Sequence, residues 1–112
     1  MSELVKQYCE ACRVGAPQVT DQARIEMLDQ LPGWLVEVRD EIPQLEKTYR
    51  FEDYRQSIEF TNRVAELAET EDHHPALLTE WGRVTVTWWT HAIGGLHLND
   101  FICAAKTDLL KQ

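Results

Sequence analysis

Between Asp53 and Thr70 the chain carries its strongest periodicity, and that stretch dictates what the remainder must supply. At about 100° per residue, Tyr54, Ser57, Ile58, Phe60, Thr61, Val64, Ala65, Leu67 and Ala68 fill one half of a helical wheel. Arg55, Gln56, Glu59, Asn62, Arg63, Glu66 and Glu69 fill the other, with Glu69 at the border. Asp53 is placed to cap the first turn. A helix with so wide an apolar face is stable only against a second layer, which the flanking segments must provide.

Those segments read as strands. Trp34, Val36 and Val38 alternate with Leu35, Glu37 and Arg39. After a turn at Asp40 to Pro43, the residues Leu45, Lys47, Tyr49 and Phe51 alternate with Glu46, Thr48 and Arg50. The pair predicts a β-hairpin with a four- or five-residue loop. Beyond the helix, residues 76 to 81 form a short extended piece and Gly82 turns the chain. Val84, Val86 and Trp88 then alternate with Thr85, Thr87 and Trp89, a second hairpin.

Thr20 signals the start of a short helix over residues 21 to 30, with Ile25 and Leu28 on one face and Leu31-Pro32-Gly33 as its stop. A last helix is expected from about Leu98 to Leu110, with Ile102, Ala105 and Leu109 facing inward. The order α-β-β-α-β-β-α makes an α+β fold, a four-stranded antiparallel sheet with three helices on one face. Its exposed edges invite another copy of the chain, so a homo-oligomer is expected.

A chain of 112 residues fits one domain, here residues 20–112 preceded by an N-terminal extension over 1–19. Nineteen acidic residues against eleven basic ones leave a formal charge of −8, which argues against nucleic acid and against an anionic membrane as partners. No apolar run approaches the roughly 20 residues needed to span a bilayer. Met1-Ser2-Glu3-Leu4 lacks the basic region and apolar stretch of a secretion signal, and an odd cysteine count fits a reducing compartment, so a cytoplasmic location is expected. Cys9 and Cys12 form a Cys-x-x-Cys pair, a spacing found in redox motifs and zinc sites. The third cysteine, Cys103, is far away in a predicted helix, and a structural zinc site wants four ligands, so the pair reads as ordinary thiols.

Chemistry gathers elsewhere. Three of the four histidines fall in Glu71-Asp72-His73-His74-Pro75 and in Thr90-His91, the latter followed by Gly94-Gly95-Leu96. Adjacent residues of an extended segment point to opposite sides, so His73 and His74 should splay, and Pro75 biases His74 away from helical geometry. A strand ending in Thr90-His91 can bring a third imidazole to the same corner. Histidine exchanges protons near neutral pH, and Glu69, Glu71 and Asp72 place carboxylates nearby. An acid and a base across a small pocket suit an elimination or a tautomerisation. The residues leave three readings open: proton chemistry, a zinc site of three imidazoles, or histidines that only pack. His-His-Pro with a distant histidine lacks the spacing of two histidines four apart on a helix that makes a zinc reading strong. Trp34 reads as core or as a flat surface for an aromatic heterocycle. His97 reads as a surface or helix-cap residue.

Asp72-His73-His74-Pro75, an aromatic at Trp81, Val84-x-Val86, Thr90-His91-x-x-Gly94-Gly95-Leu96 and Asp100 closely resemble the signature of the pterin-4a-carbinolamine dehydratases. Gly33-Trp34, Tyr49-Arg50-Phe51, Arg63-Val64-Ala65 and Ala68-Glu69 also look like that family, so the likeness runs from about residue 20 to 110. Cys9-Glu10-Ala11-Cys12 and Ala16-Pro17-Gln18-Val19-Thr20 resemble the extended N-terminus of its bacterial members.

The resemblance implies an α+β fold of four antiparallel strands and three helices, assembled as dimers or tetramers. It implies removal of water from 4a-hydroxytetrahydropterin, a by-product of aromatic amino acid hydroxylases, to give quinonoid dihydropterin with no metal or cofactor. A functional link to such a hydroxylase follows from the same likeness. By position, His73, His74 and His91 match the family's three active-site histidines, with His73 assigned as acid, His91 as base and His74 to binding and orientation. Asp100 matches the carboxylate near the site, and Trp34, Glu69, Asp72 and Thr90 match positions lining the pterin pocket. Some relatives bind a transcription factor's dimerisation helices, so a protein-binding role stands as the alternative, with a histidine-ligated zinc enzyme as a minor one. The chain departs from the pattern at His97, where the family usually has Thr or Ser capping the last helix. That substitution implies a frayed helix end, or one capped from Asn99, and a less certain place for Asp100. Trp88 and Trp89 are bulkier than the resemblance leads one to expect.

Overall fold

A computed structural model of the chain describes Leu4 and residues 18–111. Cys9, Cys12 and the break at Gly15-Ala16-Pro17 lie outside the described residues. Those described form α1 (Asp21–Leu28), β1 (Leu35–Arg39), β2 (Ile42–Arg50), α2 (Tyr54–Glu71), β3 (Ala76–Glu80), β4 (Arg83–Trp88) and α3 (Leu98–Leu110). The strands make one antiparallel sheet in the order β1-β2-β4-β3, the α+β architecture expected from the alternation of periods.

Local chemistry sets the helix starts. Thr20 Oγ1 accepts the Ala23 N–H at 3.1 Å and Asp53 Oδ1 accepts the Gln56 N–H at 2.8 Å, each satisfying a donor that has no partner within its helix. α2 buries Ser57, Phe60, Val64 and Ala68 on the face read from its period. α1 buries none of its residues, and Ile25, read as sharing a face with Leu28, is exposed; Met27 and Leu28 rest against the core.

The first hairpin is tighter than its sequence suggests. Arg39 pairs with Ile42, so the loop is only Asp40-Glu41, both at positive φ (52° and 66°), instead of four or five residues. Two successive left-handed residues match the twist of the flanking strands. Pro43 is carried inside β2, opposite Val38, and its missing N–H is tolerated because β2 meets β4 only from Leu45 onward.

α2 packs over β3 and β4, and α3 over β2 and β4. Leu45, Tyr49, Phe60, Val64, Val86 and Phe101 fill the space between. β1 lies beyond this cover, which is why Val38, read as inward by alternation, is exposed. Leu109 is also exposed rather than inward, in the last turn of α3, where its neighbour Leu110 is the residue that rests against the core. The opposite sheet face holds a basin of about 600 Å³ lined by polar groups, among them Thr48, Thr85 and the Arg39–Glu46 pair. Among the described residues no helix is long and apolar enough to cross a membrane.

Candidate active site

The site begins where α2 stops. Asp72 adopts the left-handed conformation (φ 51°, ψ 44°), the His73 N–H reaches back to Ala68 O at 3.1 Å, and the Asp72 N–H reaches Glu69 O at 3.4 Å. This is the hydrogen-bond pattern of a Schellman ending, with Asp in the place glycine usually takes. The reversal sends His73 into the protein and leaves His74 outside, the splay anticipated from their adjacency. Lys106 Nζ bonds Glu71 Oε2 at 3.0 Å and ties α3 to this end of α2.

His73 meets α3 in the interior. Its Nε2 lies 2.7 Å from Asp100 Oδ1, and its ring stacks on Trp88 at 5.4 Å between centroids. Asp100 is fully buried, and its Oδ2 accepts the Thr90 hydroxyl at 2.8 Å and the His97 backbone N–H at 2.9 Å. A buried carboxylate with three donors is fully engaged, as such a charge requires. An ionised carboxylate only accepts, so Asp100 fixes both the orientation of the His73 ring and the nitrogen that carries its proton.

His97 caps α3 itself, against the expectation that the helix would fray or start from Asn99. Its Nδ1 accepts the Asn99 N–H at 3.0 Å while Asp100 closes on its own N–H, a reciprocal capping box. A histidine serves here because its ring is buried beside the helix end, with its acceptor lone pair turned onto the backbone.

The other histidines have different surroundings. His74 Nε2 bonds Glu69 Oε2 at 2.6 Å, both side chains largely in solvent. His91 is exposed in a 3-10 turn, His91–Ile93, with its ring 4.5 Å from that of Trp89, on the side of the open sheet face. The loop carrying His91 is closed by the Thr90–Gly95 bridge, and residues 18 and 19 strap across it: the Val19 N–H donates to Leu96 O at 2.9 Å. A Cβ at Gly95 would fall 2.6 Å from Gln18 Oε1 and push that side chain aside.

Trp34 lies at the other end of α3. Its indole N–H donates to Asp108 Oδ1 at 3.1 Å, an oxygen that also accepts Lys47 Nζ at 3.0 Å and the Tyr49 hydroxyl. Asp108 follows Asp100 by eight residues, about 12 Å of helix. Trp34 is therefore core here, its ring edge-on to Tyr49, and one chain does not bring it to His73. The Asp108 hub was not foreseen, although Lys47 alternating inward between Leu45 and Tyr49 called for a buried acid. The stacking of Trp88 on His73 has no signal in the sequence beyond the bulk of that indole.

Comparison with known proteins decides the family. The family model described as pterin 4 alpha carbinolamine dehydratase matches residues 17–110. The chain belongs to that family. Among solved structures, this pterin dehydratase family member is similar to a transcriptional coactivator/pterin dehydratase from Brucella melitensis. That match has 28% identity and a TM-score of 0.76, covering 86% of this chain and 100% of that one. It is also similar to a pterin dehydratase-like protein identified as a RuBisCO assembly factor in the alpha-carboxysome. There the identity is 25% and the TM-score 0.59, covering 70% of this chain and 88% of the other.

Proposed function

We propose that this protein dehydrates 4a-hydroxytetrahydropterin, as a hydro-lyase serving cofactor recycling for an aromatic amino acid hydroxylase. The observation that carries the reading is the buried Asp100–His73 pair, 2.7 Å apart, one residue from the His74–Glu69 pair at the surface. In the reaction the C4a–O bond breaks, the hydroxyl leaves as water with a donated proton, and the pterin ring gives up a proton to a base. No electrons are exchanged. His73, held in one orientation by Asp100, is the assigned acid, and His91, in its exposed turn, the assigned base. His74, Glu69 and Asp72 bind and orient the substrate, the carboxylates accepting hydrogen bonds from its aminopyrimidine. Thr90 acts through Asp100. Such an elimination needs an acid and a base placed against the substrate and no nucleophile.

The test is a dehydration assay on 4a-hydroxytetrahydropterin generated in situ, comparing wild type with His73→Ala, His74→Ala and His91→Ala. No acceleration over the spontaneous reaction by wild type, or full rates in all three variants, refutes the proposal.

A protein-binding role is the second reading. The names of the similar structures include a coactivator and an assembly factor, and the flanks of the sheet expose Leu35, Val38, Leu78 and Trp81. The same unpaired edges favour a homodimer or tetramer. Sedimentation equilibrium reads the assembly, and a chain that stays monomeric at micromolar concentration rejects it. Among the described residues no three His, Cys, Asp or Glu side chains are grouped to hold a metal ion, and the zinc reading is taken no further.

A further inference from the structure

We propose that His97 is a positioning residue for this reaction: its neutral imidazole caps α3 and thereby fixes the carboxylate that holds His73. The activity readout rests on the dehydratase reading above; the spectroscopic one does not.

The first N–H groups of a helix need acceptors from outside it. Serine, threonine, aspartate or asparagine usually supplies one, and none of these stands at position 97. His97 Nδ1 takes the Asn99 N–H, and the His97 N–H is taken by Asp100 Oδ2. Asp100 Oδ1 holds His73. One carboxylate therefore closes the capping box with one oxygen and seats His73 with the other. Whatever loosens the box releases the histidine. Both His97 and Asn99 are buried, so water does not take over the cap.

Nδ1 accepts only while it keeps its lone pair, which places the proton of neutral His97 on Nε2. The imidazolium has no acceptor, and its Nδ1–H would face the Asn99 N–H. Among the described residues, the titratable groups bonded into this corner are Asp100 on the same helix and His73 from the loop after α2, while His91 in the preceding 3-10 turn has its ring on Trp89. The strap across Leu96 contributes uncharged Gln18 and Val19. A hydroxyl cap would hold this geometry at any pH, whereas a histidine cap is lost when it gains a proton.

The experiment combines long-range ¹H–¹⁵N NMR of the imidazoles with the dehydration assay in wild type, His97→Ser and His97→Ala. In wild type at about pH 8, His97 should be the Nε2–H tautomer. His97→Ala should shift the His73 ring resonances and lower kcat by about tenfold to a hundredfold with little change in KM, a misplacement effect. His97→Ser should rescue both, and should hold the His73 signals closer to their starting positions than wild type does as the sample is acidified, since a hydroxyl cap gains no proton. An Nδ1–H tautomer, unchanged His73 signals in His97→Ala, or a serine variant whose His73 signals follow the wild-type pH course overturns the proposal. If His97→Ala does not fold, the tautomer and the serine comparison decide it. A wild type inactive in the assay sinks the dehydratase reading while the NMR arm still decides the positioning role.

Discussion

One oxygen of Asp100 sits 2.7 Å from His73 Nε2, and the other takes the Thr90 hydroxyl and the His97 N–H. The loop after α2, the end of β4, the entry to α3 and α3 itself thus converge on a single buried carboxylate. A change at any of them reaches His73 through that carboxylate.

Asp100→Asn keeps the shape and removes half the accepting capacity. The amide oxygen can serve one side only, so its NH₂ group must face either the His73 donor or the Thr90 and His97 donors. The expected cost is about 1–3 kcal/mol in urea unfolding. A wrongly oriented or wrongly protonated imidazole should lower kcat by at least about a hundredfold in the dehydration assay. Wild-type kcat in this variant would show that the pair is structural only.

Asp72 holds φ 51° at the end of α2, where an L side chain is strained and glycine is not. Asp72→Gly should therefore keep full stability, while Asp72→Val should lose about 1–2 kcal/mol. If the Asp72 carboxylate also meets the pterin, Asp72→Gly will fold normally and still show a raised KM. Thermal unfolding and Michaelis curves on the same sample separate the two roles.

The Glu69–His74 pair is exposed, and exposed ion pairs contribute little to stability. Glu69→Gln should change the unfolding free energy by less than about 0.5 kcal/mol. Its effect belongs in substrate binding, as a rise in KM with kcat nearly kept. An unchanged KM removes Glu69 from the pocket.

Burial, then the hydrogen bond to Asp108, then the charge of that carboxylate push the Tyr49 phenol above its ordinary value. The folded chain keeps this proton in alkali while the unfolded chain loses it. The contribution is full below about pH 10 and declines as pH rises beyond it. Urea midpoints measured between about pH 9 and 11 should fall more steeply for wild type than for Tyr49→Phe. Parallel slopes would contradict the burial of an intact phenol.

How much of this was legible depended on range. The helix over Tyr54–Glu71 was readable because its apolar residues recur at the helical period and Asp53 caps it locally. The opposite faces of His73 and His74 followed from adjacency and from Pro75. Periodicity also led astray where cover was lacking: Val38 has inward spacing and no layer over it. The hairpin loop was misread because Glu41 tolerates a positive φ that its residue type does not advertise.

The order of elements and the buried face of α2 were determined by the sequence itself, since both arise from patterns a few residues long. The pairings across the site were decided only by tertiary structure. Trp34, Lys47 and Tyr49 meet Asp108 across 59 to 74 positions, and His73 meets Asp100 across 27. Local pattern says that a buried donor needs an acceptor. Which acceptor it finds depends on how α3 docks across β2 and β4, and that docking puts His73 on Asp100, closed by His97, and Trp34 on Asp108 two turns away.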